Sequence, residues 1–251
     1  MRTPLIQFDQ VFKSFGGKSV LQGVDLEIFA GETTTIIGKS GIGKSVLLKH
    51  IIGLLAPDSG RVLFDGRPLA QMSGSQLRAI KTQCSYMFQN SALFDSLTVF
   101  ENIALPLKER RLAKGAGLSA RVRSTMAQLD IAEIENNYPA QLSGGMKKRV
   151  ALARALVTEP SIVLFDEPTT GLDPVRKNAV HRMIAEHQHR FGFTGIMVSH
   201  EIPDVFHISQ RIAMLEGGRI IFQGACRELQ TSQHPAIRAF IDNTAVKERI
   251  A

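Results

Sequence analysis

Short blocks of apolar residues recur along the chain, and their periods change from strand-like to helical. In Val24–Ile28, apolar Val24, Leu26 and Ile28 alternate with Asp25 and Glu27, the period of a half-buried strand. Thr33–Ile37 is β-branched throughout and predicts a buried strand, followed by a helix over Ser45–Leu55. Ser161–Phe165 and Thr194–Val198 are two further short apolar strands, each after a helical stretch. This alternation predicts an α/β core built on a parallel sheet. From about residue 90 to 158 the pattern is mostly helical and more basic, with Val122, Met126 and Leu129 at helical spacing. That stretch reads as a helical subdomain inserted into the core, with Lys114–Leu118, bearing Gly115 and Gly117, as a loop inside it. No internal repeat or low-complexity segment is present.

Composition narrows the function classes. The 251 residues suffice for one domain with a sizeable core. The longest apolar run, around Ile51–Ala56, falls far short of the roughly 20 residues that cross a bilayer. Met1–Gln10 lacks the apolar stretch of a signal peptide, so a cytosolic chain is expected. Only Cys84 and Cys226 are present, without a CxxC pair, which argues against a disulfide framework or a zinc site. The net charge of +7 fits an acidic partner such as nucleotide, nucleic acid or a membrane face. Basic clusters at Arg110, Arg111, Lys114, Arg121 and Arg123, and at Lys147–Arg149, read as solvated helix faces. His187 and His189, beside His181, are poorly spaced for a shared metal and read the same way.

The chemistry begins at Gly38-Lys39-Ser40-Gly41-Ile42-Gly43-Lys44-Ser45. This segment fits GxxxxGK[ST] and lies between a predicted strand and a predicted helix, the context in which it binds phosphate. The glycines let backbone amides turn inward on an anion, and the helix N-terminus adds a favourable dipole. Lys44 suits the β- and γ-phosphates of a nucleotide, and the Ser45 hydroxyl suits Mg²⁺. A second apolar strand, Ile162-Val163-Leu164-Phe165, ends in Asp166-Glu167. Asp166 is placed to hold Mg²⁺ through its water shell, and Glu167 to orient or activate an attacking water. Neighbouring residues on a strand point to opposite faces, so the roles can separate.

A further anion site lies later in the chain. In Leu142-Ser143-Gly144-Gly145-Met146, Ser143 is a natural N-cap and the glycines expose amides at a helix start. One nucleotide does not need two such sites on one chain. A head-to-tail dimer resolves this, each chain's Ser143 site facing the nucleotide of its partner.

Leu142–Met146, continued by Lys147-Lys148-Arg149-Val150-Ala151-Leu152-Ala153-Arg154-Ala155, closely resembles the signature motif of ABC (ATP-binding cassette) ATPases, with Met146 in place of the usual Gln. The resemblance covers nearly the whole chain. It implies a P-loop NTPase core with a parallel sheet, an N-terminal antiparallel β region and the inserted helical subdomain, all in one nucleotide-binding domain over 1–251. It implies that Phe15 stacks on adenine, the alternative being a core position. Gln89 matches the Q-loop and a metal contact, Asp173 the D-loop, and His200 the switch histidine beside the γ-phosphate. ATP and Mg²⁺ are the implied cofactors; the implied partners are a second copy and a membrane permease.

Met87–Asn102 and His234-Pro235 with Arg238–Ile241 are similar to one branch, the ATPases of Mla-type phospholipid-trafficking systems. That branch implies an MCE-domain lipid-binding protein, in some systems a STAS-domain protein, and a place on the cytoplasmic face of the bacterial inner membrane. It also implies phospholipid movement between inner and outer membranes. The alternative is an importer for a polar solute sharing every catalytic residue. A DNA- or ribosome-acting ABC protein fits poorly, because a single cassette carries no long coiled coil between Lys44 and Ser143. With only a short segment after Ile241, a large C-terminal regulatory domain is not expected.

Overall fold

The computed structural model describes residues 2–202 and 204–248. The amino-terminal third begins with strands β1 (Ile6–Phe15), β2 (Lys18–Ile28) and β3 (Thr33–Ile37), followed by helix α1 (Lys44–Ile51), then β4 (Ser59–Phe64) and β5 (Arg67–Pro68). Helix α2 (Gly74–Gln83), strand β6 (Cys84–Met87) and helices α3 (Val99–Glu109), α4 (Gly115–Gln128) and α5 (Gly144–Leu156) come next. The chain then alternates through β7 (Ile162–Asp166), α6 (Pro174–Phe191) and β8 (Thr194–Ser199). It closes with β9 (Arg211–Glu216), β10 (Arg219–Ala225), α7 (Cys226–Thr231) and α8 (Pro235–Glu248).

Two sheets form. An antiparallel one runs β2-β1-β4-β5, and a six-stranded one runs β10-β9-β3-β8-β7-β6. In the larger sheet β6, β7, β8, β3 and β9 are parallel, and only β10 is antiparallel to its neighbour. Period-2 alternation divides its side chains between two cores. Val163, Phe165 and Met197 face a cluster shared with α3, α4 and α5, where Ile103, Val122 and Leu152 are fully buried. Ile162, Leu164, Ile196 and Val198 face the opposite side, where α1 contributes Leu47, Leu48 and Ile51 and the antiparallel sheet contributes Phe8, Leu21 and Leu26. Because both faces are covered, these strands are continuously apolar rather than half-polar.

Several sequence expectations need correction. The helix expected over Ser45–Leu55 ends at Ile51. Gly53 takes a left-handed φ of 62° there, and the Leu54 and Leu55 amides turn back to donate to the Lys49 carbonyl. Lys114–Leu118 is not a loop: Gly115 opens α4, because packing of Leu118, Val122 and Met126 outweighs the weak helix propensity of the two glycines. The basic residues are not all solvated. Arg110 donates to the carbonyls of Thr82 and Cys84, Arg121 to that of Val157, and Arg123 pairs with Glu135. Lys148 is buried. His181 and His187 are also buried, and His187 Nδ1 lies 2.8 Å from the Met183 carbonyl oxygen. Among the described residues no group of His, Cys, Asp and Glu suits a metal ion by itself.

Phe165 tests the first core most simply, since it is fully buried with its ring centroid 6.2 Å from that of Phe193. Phe165→Ala is expected to cost about 3–5 kcal/mol in denaturant unfolding, as large-to-small core changes do. A cost under about 1 kcal/mol would show that the site collapses freely and that this core is not closely packed.

Candidate nucleotide site

The loop between β3 and α1 is shaped by contacts that exclude a side chain. A Cβ placed on Gly38 would stand 2.5 Å from the Leu215 carbonyl oxygen and from Ile42 Cδ1. One on Gly43, which adopts a φ of 109°, would stand 2.6 Å from Val20 Cγ1. The loop is therefore pressed against β9 and against the β1–β2 hairpin, whose tip carries the exposed ring of Phe15. Gly43 is the N-cap of α1, so the helix begins with its amides open to the loop. A hollow of about 220 Å³ lies there, lined by Gly41, Gly43, Lys44, Ser45, Val46 and Glu167.

Lys44 is only 4% exposed, and its ammonium donates to the carbonyls of Gly38 (2.9 Å) and Lys39 (2.8 Å). It also lies 3.6 Å from Glu167 Oε1. Burial pushes the Lys44 pKa down, and Glu167 and then Asp166 partly offset this. A cation so poorly solvated is set to gain from an arriving anion. The Ser45 hydroxyl donates to Asp166 Oδ1 at 2.7 Å, which brings two hard oxygen donors together at the mouth of the loop. Asp166 Oδ2 accepts from the Tyr86 hydroxyl at 2.7 Å. Burial, then the hydrogen bond to Asp166 and its charge, push the Tyr86 phenol well above its ordinary pKa, so it remains a donor.

Glu167 comes directly after β7 with a φ of 47°, left-handed for a non-glycine residue, and its amide donates to the Val198 carbonyl at 3.1 Å. That conformation costs free energy and is held from several sides. Gln89 Nε2 donates to Glu167 Oε2 at 3.2 Å, and Thr170 Oγ1 donates to the same oxygen at 3.0 Å. His200 Nδ1 lies 3.3 Å from Glu167 Oε1. Thus Gly38–Ser45, Asp166, Glu167, Gln89 and His200, scattered through the sequence, meet at one end of the parallel sheet.

The Ser143 segment does not join them. Ser143 caps α5, its Oγ accepting from the Met146 amide at 3.3 Å, and Ser143 and Gly144 are exposed. A Cβ on Gly144 would stand 3.5 Å from Leu172, and one on Gly145 3.8 Å from Arg176. These neighbours belong to the turn where Asp173 caps α6, its Oδ1 accepting from the Arg176 amide at 3.1 Å. Ser143, Gly144, Gly145 and Asp173 therefore share a second surface, separate from the phosphate loop.

An ABC transporter family profile matches residues 21–170 of the chain. The intermembrane phospholipid transport system ATP-binding protein MlaF of Escherichia coli (strain K12) is 35% identical over 241 residues, 96% of this chain and 90% of that protein. The chain belongs to the ABC transporter family. The probable ribonucleotide transport ATP-binding protein mkl of Mycobacterium tuberculosis (strain ATCC 25618 / H37Rv) is 36% identical over 96% of this chain and 67% of its own length. Among solved structures, cbiO1 from Clostridium perfringens, part of the ABC transporter complex cbiONQ, superposes with a TM-score of 0.81 at 28% identity, covering 98% of this chain and 94% of that one. The ATP-binding cassette MJ0796, a dimer in a post-hydrolysis state with ADP and Pi, gives 0.77 at 30% identity, covering 88% and 98%. The chain is thus an ATP-binding, ATP-hydrolysing ABC subunit with an α/β core of the P-loop NTPase type.

Sequence reasoning passed over Tyr86, Thr170 and Lys148. Lys148, in the continuation of the signature segment, reads there only as part of a solvated basic face. Tyr86 reaches Asp166 only because β6 pairs in parallel with β7, Met87 opposite Phe165. Tyr86→Phe removes that hydroxyl. It is expected to lower magnesium-dependent ATP turnover several-fold, with a stability change of about 1 kcal/mol. Turnover at the wild-type level across a magnesium titration would show that the hydroxyl does not orient Asp166.

Proposed function

We propose that this chain is the ATPase subunit of a transporter that moves phospholipid between inner and outer membranes. Lys44, Ser45 and Glu167 line one hollow, and Asp166, Gln89 and His200 contact those lining residues; this arrangement carries the catalytic part of this reading. Lys44 and the loop amides bind the β- and γ-phosphates, and Phe15 stacks on the base. Ser45, Asp166 and Gln89 would hold Mg²⁺, and the adjacent oxygens of Ser45 and Asp166 fit a hard cation. The bound ion would supply neutralisation of phosphate charge. Glu167 accepts a proton from, or orients, the attacking water, and His200 steadies the same carboxylate and contacts the γ-phosphate.

Exposure of Ser143, Gly144 and Asp173, with half-buried Gly145 beside them, on another surface supports a head-to-tail dimer. There each chain's capped helix would complete the ATP site of a second copy. Helices α3–α5, within the stretch from about 90 to 158, form the moving subdomain that presents them.

Coupling to a permease rests on a groove of about 520 Å³ whose lining includes Leu54, Phe88, Phe94, Leu105, Pro106 and Arg154. Leu93 and Phe100 turn into the core, whereas Phe94 is 52% exposed. Buried Asn102 fixes this segment by donating to the carbonyls of Phe94, Leu97 and Thr98. An apolar groove on a stapled scaffold suits a short amphipathic helix from a membrane subunit. No helix among the described residues is long and apolar enough to cross a membrane. We therefore place the chain peripherally, on the cytoplasmic face of a bacterial inner membrane, held by that permease. The similarity to MlaF supports phospholipid as cargo; we add an MCE-domain protein as further partner and, as in some systems of that branch, a STAS-domain protein. The name carried by mkl favours a second reading, a polar-solute transporter with the same catalytic site.

Two experiments test these assignments. Glu167→Gln is expected to reduce steady-state hydrolysis by about 100-fold or more while ATP binding persists, so that ATP traps the closed dimer. Turnover near wild type would remove Glu167 from its role. Phe94→Asp should leave melting temperature and ATP affinity unchanged but abolish co-purification with the permease and movement of labelled phospholipid. Intact assembly with intact phospholipid movement would reject the groove as the coupling site. Assembly that moves a polar solute but no phospholipid would favour the second reading.

A further inference from the structure

Phe15 ends β1 at the tip of the β1–β2 hairpin with its ring 45% exposed, yet that ring is not left loose. The Lys13 ammonium lies 5.5 Å from the ring centroid, a cation–π contact. Lys13 and Phe15 are two residues apart on one strand, the spacing that shares a face. Lys13 is itself fixed, because its ammonium donates to Asp58 Oδ1 at 2.6 Å. Asp58, just ahead of β4, takes hold of β1 by two further bonds. Its Oδ2 accepts from the Ser14 amide at 2.7 Å, and its own amide donates to the Phe12 carbonyl at 2.9 Å. One residue thus clasps three consecutive positions, Phe12, Lys13 and Ser14, directly before the aromatic ring.

The other strand of the hairpin is packed on the phosphate loop. Lys13 pairs with Leu21 but Ser14 with Ser19, so Val20 is the extra residue of a bulge in β2. Val20 Cγ1 is the atom that a Cβ on Gly43 would meet at 2.6 Å. Val20 therefore ties the hairpin to the phosphate loop, while Lys13 and Asp58 set the direction of the Phe15 ring. The Lys13 side chain is 16% exposed and that of Asp58 45%. An ion pair with a carboxylate this open to water adds little to stability, so the clasp offers the fold little by itself. The hydrogen bond from Lys13, then that from the Ser14 amide, holds the Asp58 carboxyl below its ordinary range, which keeps the pair charged.

We propose that Lys13 and Asp58 are positioning residues for the nucleobase: Lys13 covers one face of the Phe15 ring, and Asp58 holds Lys13 there, leaving the other face as the stacking platform. A free ring at a hairpin tip would lose rotamer freedom when a base stacks on it. A ring already held by Lys13 has lost that freedom beforehand, which strengthens binding through preorganisation. The effect falls on nucleotide affinity rather than on the chemical step. The inference rests on the reading of Phe15 as the residue that stacks on the base.

The full chain with magnesium provides the test, with ADP affinity by calorimetry, kcat for ATP and melting temperature measured together. Lys13→Met keeps much of the side-chain length and removes the charge. It is expected to weaken ADP binding about fivefold while kcat stays within about twofold of wild type. Lys13→Arg, which also places a cation on a ring, should restore affinity to within about twofold. Asp58→Ala should resemble Lys13→Met, and the two together should bind no more weakly than the worse single variant, because both act on one ring. In a Phe15→Ala background, Lys13→Met should cost no further affinity. The chain contains no tryptophan, so Phe15→Trp places a single indole at the hairpin tip. Its fluorescence anisotropy should fall when Lys13→Met is added. Wild-type ADP affinity in Lys13→Met, the same loss with Phe15→Ala as without it, or an unchanged anisotropy would overturn the clasp. So would a loss of affinity that tracks a fallen melting temperature and is not restored by Lys13→Arg. Phe15→Ala alone separates the two levels. If it weakens ADP binding about tenfold while Lys13→Met does not weaken it, the clasp fails and the stacking reading stands. If Phe15→Ala binds ADP as the wild type does, the stacking reading itself fails.

Discussion

The parallel register of four adjacent strands is the constraint on which the site depends. In the order β3-β8-β7-β6, Ile37 pairs with Ser199, Val198 with Asp166, and Phe165 with Met87. The strands therefore end at nearly one level, and each end leads into a functional group: the phosphate loop after Ile37, His200 after Ser199, Glu167 after Asp166, and Gln89 two residues beyond Met87. Parallel strands need crossover connections, and the helices that make them cover both faces of the sheet. The fully buried, β-branched run Thr33–Ile37 and the apolar run Ile162–Phe165 are thus a requirement of the same architecture that aligns these strand ends. A register slip on β7 would turn Asp166 away from Ser45 and invert which core each side chain enters.

Charge balance at that edge explains how the site is poised. Lys44 is buried beside two carboxylates, its ammonium held by loop carbonyls and close to Glu167. An arriving triphosphate offers it stronger partners than neutral carbonyls do. Drawing Lys44 onto phosphate would also free the Glu167 carboxylate for water. The positive φ of Glu167 fits this arrangement, since strain at that residue is sustained by Thr170, Gln89 and the Val198 carbonyl around it. The exposed Ser143 cap and the Asp173 turn stand apart from this edge, on the surface that the proposed head-to-tail dimer would use.

The parts legible in sequence were those with local causes. The β-branched run Thr33–Ile37 became β3 with the same bounds, and the loop Gly38–Ser45 took the strand-to-helix context its spacing requires. Asp166 and Glu167 were readable from an apolar strand that ends in acids. The features that stayed hidden depend on long-range packing. Gly115 and Gly117 signalled a loop, but the apolar stripe Leu118, Val122 and Met126 made it the start of α4. His181 and His187 looked like surface residues because nothing local shows which helix face meets the sheet. Lys148 sits in a basic run that resembles a solvated face, yet it is buried with its ammonium on the Gln89 carbonyl, a long-range contact. Tyr86 reaches Asp166 through the pairing of β6 with β7, which no spacing in the chain records.

A structure of the Glu167→Gln full-length protein with magnesium and ATP tests the central claim most directly: that two unlike half-sites are completed by a second copy. The account predicts a dimer in which the Lys44 ammonium has left the Gly38 and Lys39 carbonyls for the β- and γ-phosphates. It also predicts that Ser143 and the Gly144 and Gly145 amides from the second copy close on the γ-phosphate of the first. ATP bound with Lys44 still on its carbonyls, or a closed dimer with Ser143 of both copies left facing solvent, would contradict it.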